Sequence, residues 1–250
     1  LNAYLNIFKT KWRKMIIVGN IDLNILEKYY NGRIVYSSES QKGVFEKKVV
    51  LNKDGFHTKV KFFDEAEQQI VFIELPIFVK NSDDLFNALL FKYYVKERLD
   101  REIRYNQGLA YIINVNLDIS KVSLLKIQVT STELVEVMRI IENVIIGIKN
   151  IDNGTIKRLK KKCIIDFYQE LMDYKRLSYF IGNLMLLNYN TFQYDIDNIN
   201  NCILTLENIS FYKIMDDMNP YVKISFLGQF SKEKREEIYS ICERIIDHEN

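Results

Sequence analysis

The stretch from 98 to 111 constrains the fold more than any other part of this 250-residue chain. It reads Arg-Leu-Asp-Arg-Glu-Ile-Arg-Tyr-Asn-Gln-Gly-Leu-Ala-Tyr, so a charged helix end passes through Gly108 into an apolar run. Glycine permits the tight turn of such a junction because it has no Cβ. The pattern predicts a helix over 83–102, a turn, and a strand from Ala110, with Arg104 and Tyr111 on either side of the turn.

The strands are predicted from runs in which apolar and polar residues alternate, or in which β-branched residues are frequent. Turn signals separate the runs 44–51, 57–63 and 69–75, which we interpret as three neighbouring antiparallel strands. The short link 119–121 joins strands 110–118 and 122–130 as a hairpin. A last strand covers 221–229.

Apolar residues that recur every three or four positions predict the helices. Thr130 and Glu133 have the spacing of a capping box that opens a helix over 132–148. The other predicted helices cover 1–14, 23–31, 155–188, 195–206 and 231–247, and a short strand covers 15–18. Because helices and strands alternate without regular βαβ units, we predict an α+β fold with a mixed, mostly antiparallel sheet covered by helices.

The composition is typical of one folded domain spanning 1–250, with 48% hydrophobic and 27% charged residues. Lys and Arg outnumber Asp and Glu by only 35 to 33, so the net charge is too small to attract nucleic acid to the surface as a whole. No apolar run reaches the roughly 18 residues that span a bilayer. The number of cysteines is odd, and the three residues are far apart in the sequence: Cys163, Cys202 and Cys242. This pattern predicts free buried thiols in a reducing compartment such as the cytoplasm or an organelle matrix. The first residue is Leu1, from which we expect a fragment or a processed chain.

The sequence offers no complete catalytic site of a familiar type. The two histidines, His57 and His248, have no ligand three or four residues away in a helix, so we predict no metal site in this chain. A Gly-x-Ser-x-Gly elbow and a glycine-rich phosphate loop are both missing from the sequence. We therefore expect the chain to be inactive alone.

Arg104 and Tyr111 are the candidate functional residues. A guanidinium presents fixed donors that keep their charge, and a phenol presents one O–H donor. Delivered to one spot by the turn at Gly108, the two groups can hold a substrate carbonyl or a developing oxyanion.

The same residues carry a resemblance to a known family. Leu99, Arg104, Gly108, Leu109 and Tyr111 resemble the Leu-x-x-x-x-Arg-x-x-x-Gly-Leu-x-Tyr pattern of insulinase-like, or pitrilysin-like, zinc peptidases. That family holds zinc on an H-x-x-E-H helix, which this chain lacks. The resemblance implies a C-terminal-type domain whose arginine and tyrosine reach toward a zinc site in the other half, where they position the peptide and stabilise the tetrahedral intermediate.

The leading hypothesis is therefore a zinc-free domain or subunit that supplies Arg104 and Tyr111 to a zinc-bearing partner domain or chain. A first alternative is an inactive scaffold, as in the core subunits of the respiratory bc1 complex, which resemble these peptidases. A second is a nucleic-acid binder that uses the basic run 157–162, although such a run is more often a solvated helix face. Purely structural roles are also open, with Arg104 paired to a carboxylate such as Glu102 and Tyr111 packed in the sheet.

Overall fold

The computed structural model describes residues 59–64, 67–79, 82–119, 122–186, 196–205 and 222–246. The strands within these ranges are β1 (Lys59–Phe63), β2 (Ile70–Phe78), β3 (Ile112–Asp118), β4 (Val122–Thr130) and β5 (Lys223–Leu227). The α-helices are α1 (Ser82–Leu99), α2 (Leu134–Ile146), α3 (Asn153–Leu171), α4 (Tyr174–Leu186), α5 (Ile196–Thr205) and α6 (Lys232–Ile246). A π-helix, Asp100–Asn106, continues α1, and a 3-10 turn, Gly147–Asn150, follows α2.

The five strands form one mixed sheet in the order β1-β5-β2-β4-β3. β2 is antiparallel to both β4 and β5, and β3 is antiparallel to β4. Only β1 and β5 run parallel. The α+β fold class with a mostly antiparallel sheet is therefore confirmed.

Alternation along the strands buries one face of the sheet. In β2 the side chains of Val71, Ile73 and Leu75 are fully buried, whereas Phe72 between them is partly exposed. The buried face joins one hydrophobic core with the apolar sides of α1, α2 and α6. Helix α1 is the most enclosed of these elements, because every residue from 85 to 95 is buried.

Most of the predicted elements within the described ranges are confirmed, including the hairpin of β3 and β4. Three details are wrong. β1 and β2 are not neighbours, since β5 lies between them. The helix predicted over 155–188 is interrupted at Met172 and Asp173. The capping box also fails, because Thr130 ends β4 and α2 begins only at Leu134, with no side-chain cap.

The predicted elements 1–14, 15–18, 23–31 and 44–51 lie outside the described residues. Among the helices that the structure does describe, none combines the length and the hydropathy that a membrane span requires. The assignment of 1–250 to a single domain stays a prediction.

Candidate functional site

The candidate site begins where α1 changes into the π-helix. The π-helix, Asp100–Asn106, is wider than an α-helix because its hydrogen bonds join residues five apart. Ile103 anchors it in the core, where its side chain is fully buried. Short π-helical segments occur frequently at functional sites, and this one carries Arg104 at the surface.

A tight turn then leads the chain into β3. Gly108 has a φ of 65°, in the left-handed region that glycine adopts without strain. The amide of Leu109 donates to the carbonyl of Ile103 at 2.9 Å, which closes the π-helix. Ser131 connects this turn to the start of α2, because its Oγ donates to the Leu109 carbonyl at 2.7 Å and accepts from the Glu133 amide at 3.0 Å. These hydrogen bonds hold the backbone of the turn that connects Arg104 to Tyr111.

Arg104 bends back over the turn. Its Nη2 donates to the carbonyl oxygen of Tyr111 at 2.5 Å, and its Nη1 lies 4.0 Å from Asp100 Oδ1. About a third of the side chain, 35%, is exposed. The remaining N–H groups of the guanidinium face no partner among the described residues, so the group is held in place and retains donors for a ligand.

Arg104 does pair with a nearby carboxylate, as the structural alternative expected, but that carboxylate belongs to Asp100 rather than to Glu102. Glu102 instead lies 3.6 Å from Arg98 and accepts a hydrogen bond from Asn106 at 2.8 Å. The carboxylate nearest to Arg104 belongs to Asp100, one helical turn earlier.

Tyr111 projects from the turn that precedes β3. Its side chain is 85% exposed, so packing of this residue into the sheet is also wrong. The structure brings Arg104 and Tyr111 to one exposed bend, although their direct bond uses the Tyr111 backbone rather than the phenol. A phenol and a guanidinium on one exposed bend offer several hydrogen-bond donors to a carbonyl oxygen of a bound molecule.

The cysteines are not activated nucleophiles. Burial raises the pKa of Cys163 and of Cys242 to about 12, so both remain neutral thiols near pH 7. Cys202 is less buried, and burial raises its pKa as well.

Three of the five basic residues in the run on α3 contact other helices of the described chain. Arg158 and Lys162 form ion pairs with Glu97 of α1 at 2.6 and 3.1 Å, and Lys160 donates to the carbonyl of Leu204 at 3.0 Å. This arrangement favours a role in helix packing over a nucleic-acid surface.

The described residues do not bring together three histidine, cysteine, aspartate or glutamate side chains in a way that fits a metal ion. His57 and His248 both lie outside those residues. The described part of the chain thus offers no ligand set for the zinc that the resemblance implies.

Comparisons with solved structures identify the fold. A chain of complex III from Candida albicans, solved with Inz-5 bound, matches with a TM-score of 0.53 and 11% identity, over 73% of this chain and 49% of that one. The first half of the periplasmic protease PqqL from Escherichia coli matches with a TM-score of 0.52 and 9% identity, over 78% and 48% of the two chains. A protease from Helicobacter pylori gives a TM-score of 0.51 and 13% identity, over 71% and 45%.

The chain thus spans about half the length of the solved chains it matches. No family model matches the sequence, and no curated protein matches it. At these identities the likeness shows the fold alone. The solved chains that share this fold include two proteases and a chain of complex III.

Sequence reasoning missed Asp100 as a partner of Arg104. The signal was present, because residues four apart on a helix are neighbours and opposite charges at that spacing attract. The contact of Arg104 with the Tyr111 carbonyl had no such signal, since it depends on how tightly the chain turns at Gly108.

Proposed function

We propose that this chain is a zinc-free domain or subunit of an insulinase-like metallopeptidase, in which Arg104 and Tyr111 bind the peptide substrate. The observation that carries the proposal is the exposed bend on which both side chains stand, with the guanidinium held by the Tyr111 carbonyl and the phenol facing solvent. The motif resemblance and the protease fold of two structural neighbours support it.

In this proposal the zinc belongs to another domain or chain, where it would activate a water molecule. This chain contributes binding and orientation. The Arg104 guanidinium and the Tyr111 hydroxyl donate hydrogen bonds to a carbonyl oxygen of the peptide, and those bonds strengthen as the oxygen gains negative charge. A charged donor is suited to this role because hydrogen bonds with ionised partners are about twice as strong as neutral ones.

The test compares Arg104→Ala and Tyr111→Phe in the full protein assembled with its zinc-bearing partner. Each variant is expected to lower kcat/KM for peptide cleavage by roughly 10²- to 10³-fold, the effect of losing one oxyanion donor. Arg101→Ala and Tyr105→Phe are matched controls, because Arg101 and Tyr105 are exposed on the same π-helix outside the Arg104–Tyr111 contact. Wild-type cleavage rates in both test variants would refute the proposed role.

The second candidate function is an inactive scaffold or interaction subunit. The complex III chain with the same fold favours it, because that fold also occurs outside proteases. If the assembled wild-type protein cleaves no peptide from a random fluorogenic library at saturating zinc, the scaffold is supported and the peptidase role rejected.

A further inference from the structure

A polar cavity of about 460 Å³ lies beside β3 and next to the start of the π-helix that carries Arg104. Its walls come from α1, the first residue of the π-helix, β3, α3 and α4. Asp100, which pairs with Arg104, lines the cavity, whereas Arg104 and Tyr111 do not. Among the described strands β3 pairs only with β4, so it is an edge strand, and Asn114, Val115 and Asn116 of β3 line the cavity. Pockets for small molecules typically measure about 300 to 1,000 Å³, so this cavity is large enough for one.

Most of the charges around the cavity neutralise one another. Six of the charged side chains form three ion pairs in its wall: Lys92 with Glu170, Lys96 with Asp100, and Lys162 with Glu97. The remaining two charged groups are Asp166 of α3 and Arg176 of α4. Neither side chain has an ion pair or hydrogen bond to any other described residue. The cavity therefore presents one uncommitted anion and one uncommitted cation.

Carboxamides complete the lining. Asn114 and Asn116 of β3 stand two residues apart on the exposed face of the strand, and Gln169 follows Asp166 by almost one turn of α3. Amide groups donate to carboxylates and accept from ammonium groups equally well. The lining thus suits a ligand that carries both kinds of group.

We infer that this cavity binds a small zwitterion, a free amino acid or a dipeptide, with its ammonium at Asp166 and its carboxylate at Arg176. A ligand of one charge sign is disfavoured, because the charged lining groups are four cations and four anions. A zwitterion gives each uncommitted charge an opposite partner. The inference does not depend on the peptidase role.

The test is isothermal titration calorimetry on the full chain with alanine, alanyl-alanine, and alanyl-alanine blocked at one end by N-acetylation or C-terminal amidation. We expect an unblocked ligand to bind, and each block to weaken binding by about 10-fold, the value of one charge-assisted hydrogen bond. The alanine and alanyl-alanine arms separate the two sizes of ligand.

The variants assign each end of the ligand. Asp166→Asn should weaken the unblocked ligand about 10-fold and leave the N-acetylated ligand unaffected, and Arg176→Gln should behave in the same way toward the amidated ligand. Lys175→Gln is the matched control, because Lys175 precedes Arg176 and does not line the cavity. Unchanged thermal midpoints show that each variant is folded.

No heat from any of the four ligands, or equal binding by wild type and by Asp166→Asn and Arg176→Gln, would overturn the inference.

Discussion

At the residue scale, Glu97 shows how one carboxylate holds two helices together. It is 10% exposed and accepts from Arg101 at 3.3 Å, Arg158 at 2.6 Å and Lys162 at 3.1 Å. Burial alone would raise its pKa, but the hydrogen bonds from Arg158 and Lys162 outweigh burial and lower it. The ion pairs therefore fasten α3 to α1.

We expect Glu97→Gln to lower the free energy of unfolding at pH 7 by about 1–3 kcal/mol, the value of hydrogen bonds to a charged group. The three cations would then also repel one another. Because the pKa of Glu97 is lowered on folding, its contribution is present above the unfolded pKa of about 4.3 and is lost as the pH falls through the folded value.

Urea unfolding of wild type and Glu97→Gln at several pH values measures this contribution. The two curves should differ at pH 7 and converge below about pH 4. Glu236→Gln is the control, because Glu236 is exposed and its only ion pair among the described residues is with Lys232 at 3.9 Å. A difference that stays constant down to pH 3 would show that the charge of Glu97 is not what stabilises the fold.

Two glycines with positive φ should differ in their tolerance of a side chain. A Cβ at Gly228, where φ is 123°, would lie 2.8 Å from the carbonyl oxygen of Gln68, whereas a Cβ at Gly108 meets nothing within 4 Å. We expect Gly228→Ala to lower the free energy of unfolding by about 2–3 kcal/mol. Gly108→Ala should lower it by about 1 kcal/mol, from backbone strain alone.

Asparagine tolerates the left-handed region better than alanine does, so Gly108→Asn should be milder than Gly108→Ala in thermal unfolding. If Gly228→Ala and Gly108→Ala lower the free energy of unfolding equally, the close approach of the Gln68 carbonyl oxygen to Gly228 is contradicted. The turn at Gly108 was predictable from the sequence, because glycine beside a helix end is a local signal. The role of Gly228 was not, since Gln68 is distant in the chain.

At the element scale, the hairpin of β3 and β4 was predicted well because the pairing partners are close in sequence. The end of α1 was predicted less well. The periodic pattern continues through Ile103, so it could not distinguish an α-helix from the π-helix that replaces it at Asp100. The difference lies in hydrogen bonding, which the side-chain pattern does not encode.

The break between α3 and α4 has a local cause that the apolar spacing concealed. Asp173 Oδ1 accepts from the amides of Lys175 at 2.8 Å and Arg176 at 3.2 Å, so it caps a new helix. The run of Leu171 and Tyr174 at helical spacing led to the prediction of one continuous helix.

We expect Asp173→Ala to lower the free energy of unfolding by about 1 kcal/mol, and Asp173→Asn to preserve it, because asparagine is also a good cap. Hydrogen exchange should locate the loss in the first turn of α4. Equal destabilisation by alanine and asparagine would indicate that the charge matters rather than the cap.

At the scale of the whole molecule, the sheet order depends on contacts that the sequence pattern cannot reveal. Most of the described chain separates β2 from β5 in the sequence, yet β5 lies between β1 and β2 in the sheet. Because β1 and β2 follow one another in the sequence, they were predicted to be neighbours in the sheet. That prediction is wrong because β5, the last described strand in the sequence, lies between them. Its Phe226 is fully buried and stacks on Phe62 of β1, with ring centroids 4.9 Å apart.

Since β1 has β5 as its only strand partner among the described residues, loss of β5 should release β1 as well. We expect Phe226→Ala to lower the free energy of unfolding by about 3–5 kcal/mol, the cost of truncating a buried phenylalanine. Ser225→Ala, one residue earlier and on the opposite face, should cost less than about 1 kcal/mol.

Hydrogen exchange then tests the sheet order itself. In Phe226→Ala the amides of β1 should lose protection together with those of β5, while β3 and β4 retain theirs, because the β2–β4–β3 pairs do not involve β5. If β1 keeps wild-type protection while β5 opens, a strand other than β5 must hold it, and the parallel pairing of β1 with β5 is wrong.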